Sequence, residues 1–194
     1  MTAGLPAELA ADREALVRLL FDRSIRRGDF TLASGQRSSY YIDCRPATMS
    51  AEGQTVIGRL GFAAIRQADW AARAVGGLTM GADPVAYAVA CASWGTPQVL
   101  DAFSVRKEAK EHGTGRQIEG NFAPGARVVV VEDVITSGGS AFKAIGAVEG
   151  AGGSVLGVLA VVDRQQGGRR ALEEAGYRVV SLLTTTDLGL GGGG

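Results

Sequence analysis

The chain predicts an α/β fold built on a mostly parallel sheet, and three observations carry that expectation. Apolar runs of strand length alternate with amphipathic segments of helix length along most of the sequence. Val128–Val131 is a run of consecutive β-branched residues with no polar alternation, which demands cover on both faces, as in a parallel sheet. Glycine is abundant, at 29 of 194 residues, and much of it falls between apolar runs, as many short connections require.

Taken in order, Pro6–Arg27 reads as an amphipathic helix, with Leu9, Leu16, Leu19, Leu20 and Ile25 at helical spacing. Gly28-Asp29 breaks it. Phe30–Leu32 and Tyr40–Asp43 read as strands of a hairpin, or small hood, around Ser34–Ser38. Ser50 is an N-cap candidate for a helix to about Gln67, with Val56, Ile57, Leu60 and Ile65 inward. Ala74–Thr79 is a buried strand, and a helix follows from Val85 to about Ala92, with Pro84 in its first turn. Val99–Val105 is a strand and Arg106–Gly120 a polar segment. A helix opens at Ala141 after strand Val128–Val131, and Val155–Val162 is the next strand. Arg169–Gly176 is a helix closed by its glycine, and Tyr177–Leu183 is the last strand. Residues 1–188 form one expected domain, with the hood over about 1–48 and a mobile glycine tail over 189–194.

Composition narrows the function classes. Lys+Arg and Asp+Glu balance at 20 each, so no overall field argues for nucleic acid. The apolar runs are too short and interrupted to cross a membrane, and Met1–Asp12 carries acids where a secretory signal has basic residues. A soluble cytoplasmic protein is the expectation. Cys44 and Cys91 lie in no metal-ligand spacing; two small buried thiols is the favoured reading, with a disulfide left open. Trp70 and Trp94 read as packing residues.

The chemistry concentrates where the valine run ends. Glu132 and Asp133 come first, then Val134, Ile135, Thr136, Ser137, Gly138, Gly139 and Ser140, then the helix. A loop entering a helix N-terminus offers N–H donors and the positive end of the dipole to a phosphate. The two acids suit hydroxyls or a hydrated divalent cation. A ribose 5-phosphate wants both. Arg106, Lys107, Lys110, His112 and Arg116 cluster after Val105 at the same rim, either as a solvated charged loop or as a lid over a polyphosphate.

Glu132–Ser140 after an apolar strand resembles the PRPP-binding motif of type I phosphoribosyltransferases. Arg106–Gly113 resembles the catalytic loop of the orotate phosphoribosyltransferase family, and Phe30–Gly35 with Tyr40-Tyr41 is similar to its orotate hood. Val162–Gln165 matches its downstream Asp-Arg segment. The resemblance implies a type I parallel sheet flanked by helices with a small N-terminal hood. It also implies transfer of the phosphoribosyl group from PRPP to orotate with Mg2+, as one step of pyrimidine (UMP) biosynthesis. Residue by residue, Glu132 and Asp133 would hold the ribose hydroxyls, and Val134–Ser140 the 5-phosphate. Arg164 and Thr136 would meet orotate, with Tyr40 or Tyr41, of which at most one can face the site. Arg106, Lys107, Lys110 and His112 would face pyrophosphate, with Lys110 and His112 the strongest catalytic candidates. The family's loop reaches a neighbouring subunit, so a homodimer is implied. No direct protein ligand to the metal is expected; Asp83 would act through water or serve equally well as a helix N-cap. Two positions depart from the pattern, Ala33 and Gly81, where many members carry lysine.

Overall fold

The protein is described by a computed structural model over residues 9–31, 37–108 and 117–190. Helix α1, Ala10–Arg23, buries Leu16, Leu19 and Leu20. It stops earlier than the helical spacing suggests. Ile25 already belongs to strand β1, Ile25–Thr31, which pairs antiparallel with β2, Arg37–Ile42, in a two-stranded sheet. Ile25 lies opposite Ile42, so hairpin pairing overrides a periodicity that would have carried the helix to Arg27. Four residues of helix α2, Arg45–Thr48, follow, and α3 runs Ala51–Gln67 with Ser50 accepting from Gly53 N–H as the expected cap.

The main sheet has six strands in the order β5-β4-β3-β6-β7-β8. These are β3 (Ala74–Leu78), β4 (Asp101–Val105), β5 (Ile118–Gly120), β6 (Arg127–Ile135), β7 (Ser154–Asp163) and β8 (Val179–Thr184). All pairings are parallel except β4 with β5. Strand β5 falls inside the expected polar segment; three residues with one apolar member give no periodic signal.

The valine run explains the layering. Val129 and Val131 pack with α3 and α4 (Ala82–Ser93), while Val128 and Val130 pack with α5 (Gly139–Gly150) and Leu172 of α6 (Gly168–Glu174). Successive side chains of one strand therefore feed two cores on opposite faces. Strands β3 and β6 are neighbours, yet the helix after β3 covers one face and the helix after β6 the other. Their carboxyl ends frame the crevice where the chain changes direction, the usual ligand position in such a sheet.

The chain end differs from expectation. Leu188 and Leu190 belong to the core with α1 and α3, and Leu190 N–H donates to Thr185 O. Packing thus extends past 188, and residues 191–194 lie outside the described residues. Trp70 is buried as expected, but Trp94 is 80% exposed. Both cysteines are free; Cys44 is buried, whereas Cys91 is exposed on α4. Among the described residues no helix is long and apolar enough to cross a membrane.

Candidate active site

Strand β6 does not stop at the acidic pair; it runs on to Ile135, parallel to β7 as far as Asp163. Glu132 is consequently buried, at 6% exposure, and Asp133 is half-buried. Burial pushes the Glu132 carboxyl well up from its ordinary range, and the neighbouring Asp133 charge adds to the effect. Asp133 is also raised by burial, against the Val134 N–H that donates to its Oδ1 at 3.0 Å. Both shifts favour the protonated carboxyls, and a nearby positive charge would oppose them.

The turn after β6 supplies the opposite polarity. Helix α5 starts from Gly138 at φ 84°, with no side chain capping its first N–H groups. Helix α3, by contrast, spends Ser50 on that task. The first turn of α5 thus keeps donors for an anion. Ser137, Gly139 and Ser140 are exposed and Thr136 half-buried, all beside this helix end. Gly168 N–H donates to Thr136 O at 2.9 Å, and a Cβ at Gly168 would meet that oxygen at 2.5 Å and Gly138 N at 2.8 Å. Only glycine lets α6 approach the loop this closely.

Arg164 closes the other side. It follows β7, is 6% exposed, and its N–H donates to Ile135 O at 2.9 Å, which joins it to the end of β6. Its guanidinium carbon sits 5.1 Å from the centroid of the Tyr40 ring. Its Nε and Nη2 are buried with no hydrogen-bond partner. A guanidinium held without an acceptor is costly unless a ligand supplies one, and a planar carboxylate matches its fork. Tyr41 points the other way, 40% exposed and 5.7 Å from Phe30, so the strand's alternation assigns Tyr40 to this site and removes Tyr41 from it.

Across the crevice, a Cβ at Gly81 would lie 2.6 Å from Asp133 Oδ1. A side chain here would displace the acid, so the absent lysine and the position of Asp133 go together. Asp83 is not the helix cap; Gly81 holds that position. Asp83 lies in the first turn, where Ser104 Oγ donates to its Oδ1 at 2.7 Å, and burial raises its carboxyl. Arg106 has a partner the sequence did not suggest. Its Nε donates to Glu119 Oε1 at 3.1 Å, and its backbone exchanges hydrogen bonds with Gln117, which ties the base of the cationic loop. Lys107 is exposed, and Lys110 and His112 lie outside the described residues, as do Ala33 and the rest of 32–36. Among the described residues no group of His, Cys, Asp and Glu could enclose a metal ion. The carboxylates of Glu132 and Asp133 suit a hydrated Mg2+ that takes its ligands from substrate and water.

Known proteins carry this architecture. A protein of Thermosynechococcus vestitus named orotate phosphoribosyltransferase is 50% identical over 181 residues, covering 93% of this chain and 94% of its own. One of the same name from Rhodopirellula baltica is 43% identical over 183 residues, covering 92% and 95%. The chain belongs to the orotate phosphoribosyltransferase family. Among solved structures, that of the Mycobacterium tuberculosis orotate phosphoribosyltransferase in complex with PRPP superposes with TM-score 0.76 at 44% identity, covering 92% of this chain and 99% of that one. A scan against family models matches none.

The candidate residues expected for an orotate phosphoribosyltransferase, the acidic pair, the Thr136–Ser140 loop and Arg164, come together at the ends of β6 and β7. The sequence missed what holds them. Asp163 is 2% exposed; it accepts from Gln165 N–H at 2.8 Å and from Arg169 Nε at 2.8 Å. Arg169 also reaches Val179 O and Ser181 Oγ on β8. The Asp-Arg-Gln order is visible in the sequence, but the contacts of Arg169 with Val179 and Ser181 on β8 leave no local pattern.

Proposed function

We propose that this chain transfers the 5-phosphoribosyl group of PRPP to orotate, releasing pyrophosphate and giving orotidine 5′-monophosphate for pyrimidine biosynthesis. The observation that carries the reading is Arg164, a buried guanidinium with unpartnered Nε and Nη2 beside Tyr40, on a rim shared with the acidic pair and the uncapped helix. It offers a fork for the orotate carboxylate. Glu132 and Asp133 accept from the ribose 2′- and 3′-hydroxyls. Val134 and Ile135 lead into the cradle, and the N–H groups of Gly138–Ser140 with the hydroxyls of Thr136, Ser137 and Ser140 hold the 5-phosphate. Thr136 lies between phosphate and base.

The reaction is displacement at the anomeric carbon. The ring nitrogen of orotate forms the new C–N bond as the C–O bond to pyrophosphate breaks with inversion, and the bonding electrons leave on pyrophosphate. Positive charge gathers on the ribose and negative charge on the leaving group, so leaving-group stabilisation matters more than a strong base. Arg106, Lys107, Lys110 and His112 would supply it, Arg106 by exchanging Glu119 for the substrate. Mg2+, held by the pyrophosphate and ribose hydroxyls and reached through water by Asp83, would add charge neutralisation. A homodimer whose cationic loops serve the neighbouring subunit belongs to this reading, supported by the large apolar side chains Tyr87 and Trp94 exposed on and just after α4. So does a cytoplasmic location.

The test is direct. The protein is incubated with PRPP, Mg2+ and orotate, and orotate absorbance is followed, with uracil, hypoxanthine and adenine as controls. Loss of absorbance with orotate alone supports the reading; consumption of another base with orotate untouched overturns it.

A further inference from the structure

We propose that Gln165 is a positioning residue that sets the orotate-binding guanidinium of Arg164; the inference rests on the role given to Arg164 above. Gln165 adopts φ 57°, a left-handed conformation that L side chains take up with strain. Contacts on both its main chain and its side chain hold it there. Its N–H donates to Asp163 Oδ1 at 2.8 Å. Its side-chain oxygen accepts from Thr185 Oγ1 at 2.8 Å, Thr186 N–H at 2.9 Å and Thr186 Oγ1 at 2.7 Å. Three donors converge on one amide oxygen, so the turn after β7 is fastened to the turn after β8.

Arg164 sits inside that fastening. Its N–H is bound to Ile135 O, and its own carbonyl lies 3.2 Å from Thr185 Oγ1. The single Thr185 proton serves Gln165 or Arg164 at any moment, while Thr185 N–H donates to Asp163 O at 3.0 Å. The backbone on either side of Arg164 is therefore immobilised by groups that touch no substrate. The Arg164 side chain itself has no hydrogen-bond partner at Nε or Nη2. Its aim must come from the backbone that carries it and from the Tyr40 ring below. Loosening Gln165 lets the turn relax from its left-handed conformation and swings the guanidinium off the carboxylate. The phosphate loop is secured separately, through Gly168 N–H to Thr136 O.

The linkage acts through an acceptor oxygen, so glutamate can replace glutamine. The test measures steady-state kinetics of the wild-type protein, Gln165→Ala and Gln165→Glu with both substrates varied, and a melting curve for each. Gln165→Ala is expected to raise the orotate KM about tenfold, with the PRPP KM within about twofold of wild type. Gln165→Glu, which keeps the acceptor, is expected to stay within about threefold of wild type for orotate. Thr185→Val, which removes one donor inside the fold, is expected to shift the orotate KM in the same direction. An unchanged orotate KM in Gln165→Ala overturns the proposal, as do equal rises in both KM values or a Gln165→Glu as impaired as Gln165→Ala. A wild-type protein that leaves orotate untouched overturns the proposed function instead, and this inference with it.

Discussion

Glu132 shows what the proposed ribose-binding role asks of a single side chain. It is buried beside a second acid, and its carboxyl titrates well above the ordinary range because burial disfavours the charge. A carboxyl whose pKa is raised by folding favours the folded state while protonated. That contribution is complete below the unfolded pKa and disappears as pH rises through the elevated folded value. Glu132→Gln removes the titration. The variant is therefore expected to melt higher than wild type at pH 8, by about 3 °C for each ~1 kcal/mol recovered in a domain of this size, with little difference at pH 4. The same substitution should weaken PRPP binding, because a neutral amide accepts less strongly from the ribose hydroxyls. Melting curves at the two pH values and a PRPP titration at pH 8 check both halves. Equal stability at pH 8 would show that the ionised pair costs the fold nothing. Gln165, in contrast, works through Thr185 and Thr186, partners brought together by folding that no spacing in the sequence announces.

Among the elements, the ones that carry the ligand-facing loop were readable because their signals are contiguous. A valine run, two acids, a Thr-Ser-Gly-Gly-Ser turn and a helical pattern occupy one stretch, Val128–Val148, and fold as they read, except that β6 carries the acids inside the strand. Register with β7, which continues to Ile135 opposite Asp163, is what draws them in. Strand β5 and the short α2 were not readable, since neither is long enough to show a period. Helix α6 shows how an element can matter for a loop it does not contain. Its first residue, Gly168, presses against Thr136, Ile135 and Gly138 at distances no Cβ tolerates. Gly168→Ala must push α6 or the phosphate loop aside. The PRPP KM is expected to rise about tenfold, with a smaller change for orotate, because Arg164 leaves β7 before α6 begins. Kinetics with each substrate varied check this; a PRPP KM at the wild-type value would mean that the helix yields and the loop does not.

At the scale of the whole molecule, the site is split between a rigid crevice and a cationic loop with different origins. Glu132 and Asp133 lie in β6, and Thr136 and Arg164 directly follow β6 and β7, strands with packed cores on both faces. The cations after Val105 fall between β4 and β5 at the sheet edge, and among the described residues Arg106, Gln117 and Glu119 tie the two ends of that segment together. Such a loop can act on its own crevice or on that of a second subunit, and a mixing experiment separates the two. Lys110→Ala disables the loop and leaves the crevice intact; Arg164→Ala does the reverse. Each variant alone should be nearly inactive, Lys110→Ala through a lower kcat, because its contact is expected to strengthen as pyrophosphate departs. If loops cross between subunits, a mixed dimer joins the intact crevice of the Lys110→Ala chain to the intact loop of the Arg164→Ala chain. Its other site carries both defects. Random exchange makes half the dimers mixed, with one working site in two, so activity should recover to about a quarter of wild type. If each loop serves its own crevice, every site in the mixture keeps one defect and no activity returns. Co-expressing the two variants with different tags and purifying the mixed dimer raises the expected value to about half of wild type and removes any dependence on the exchange rate.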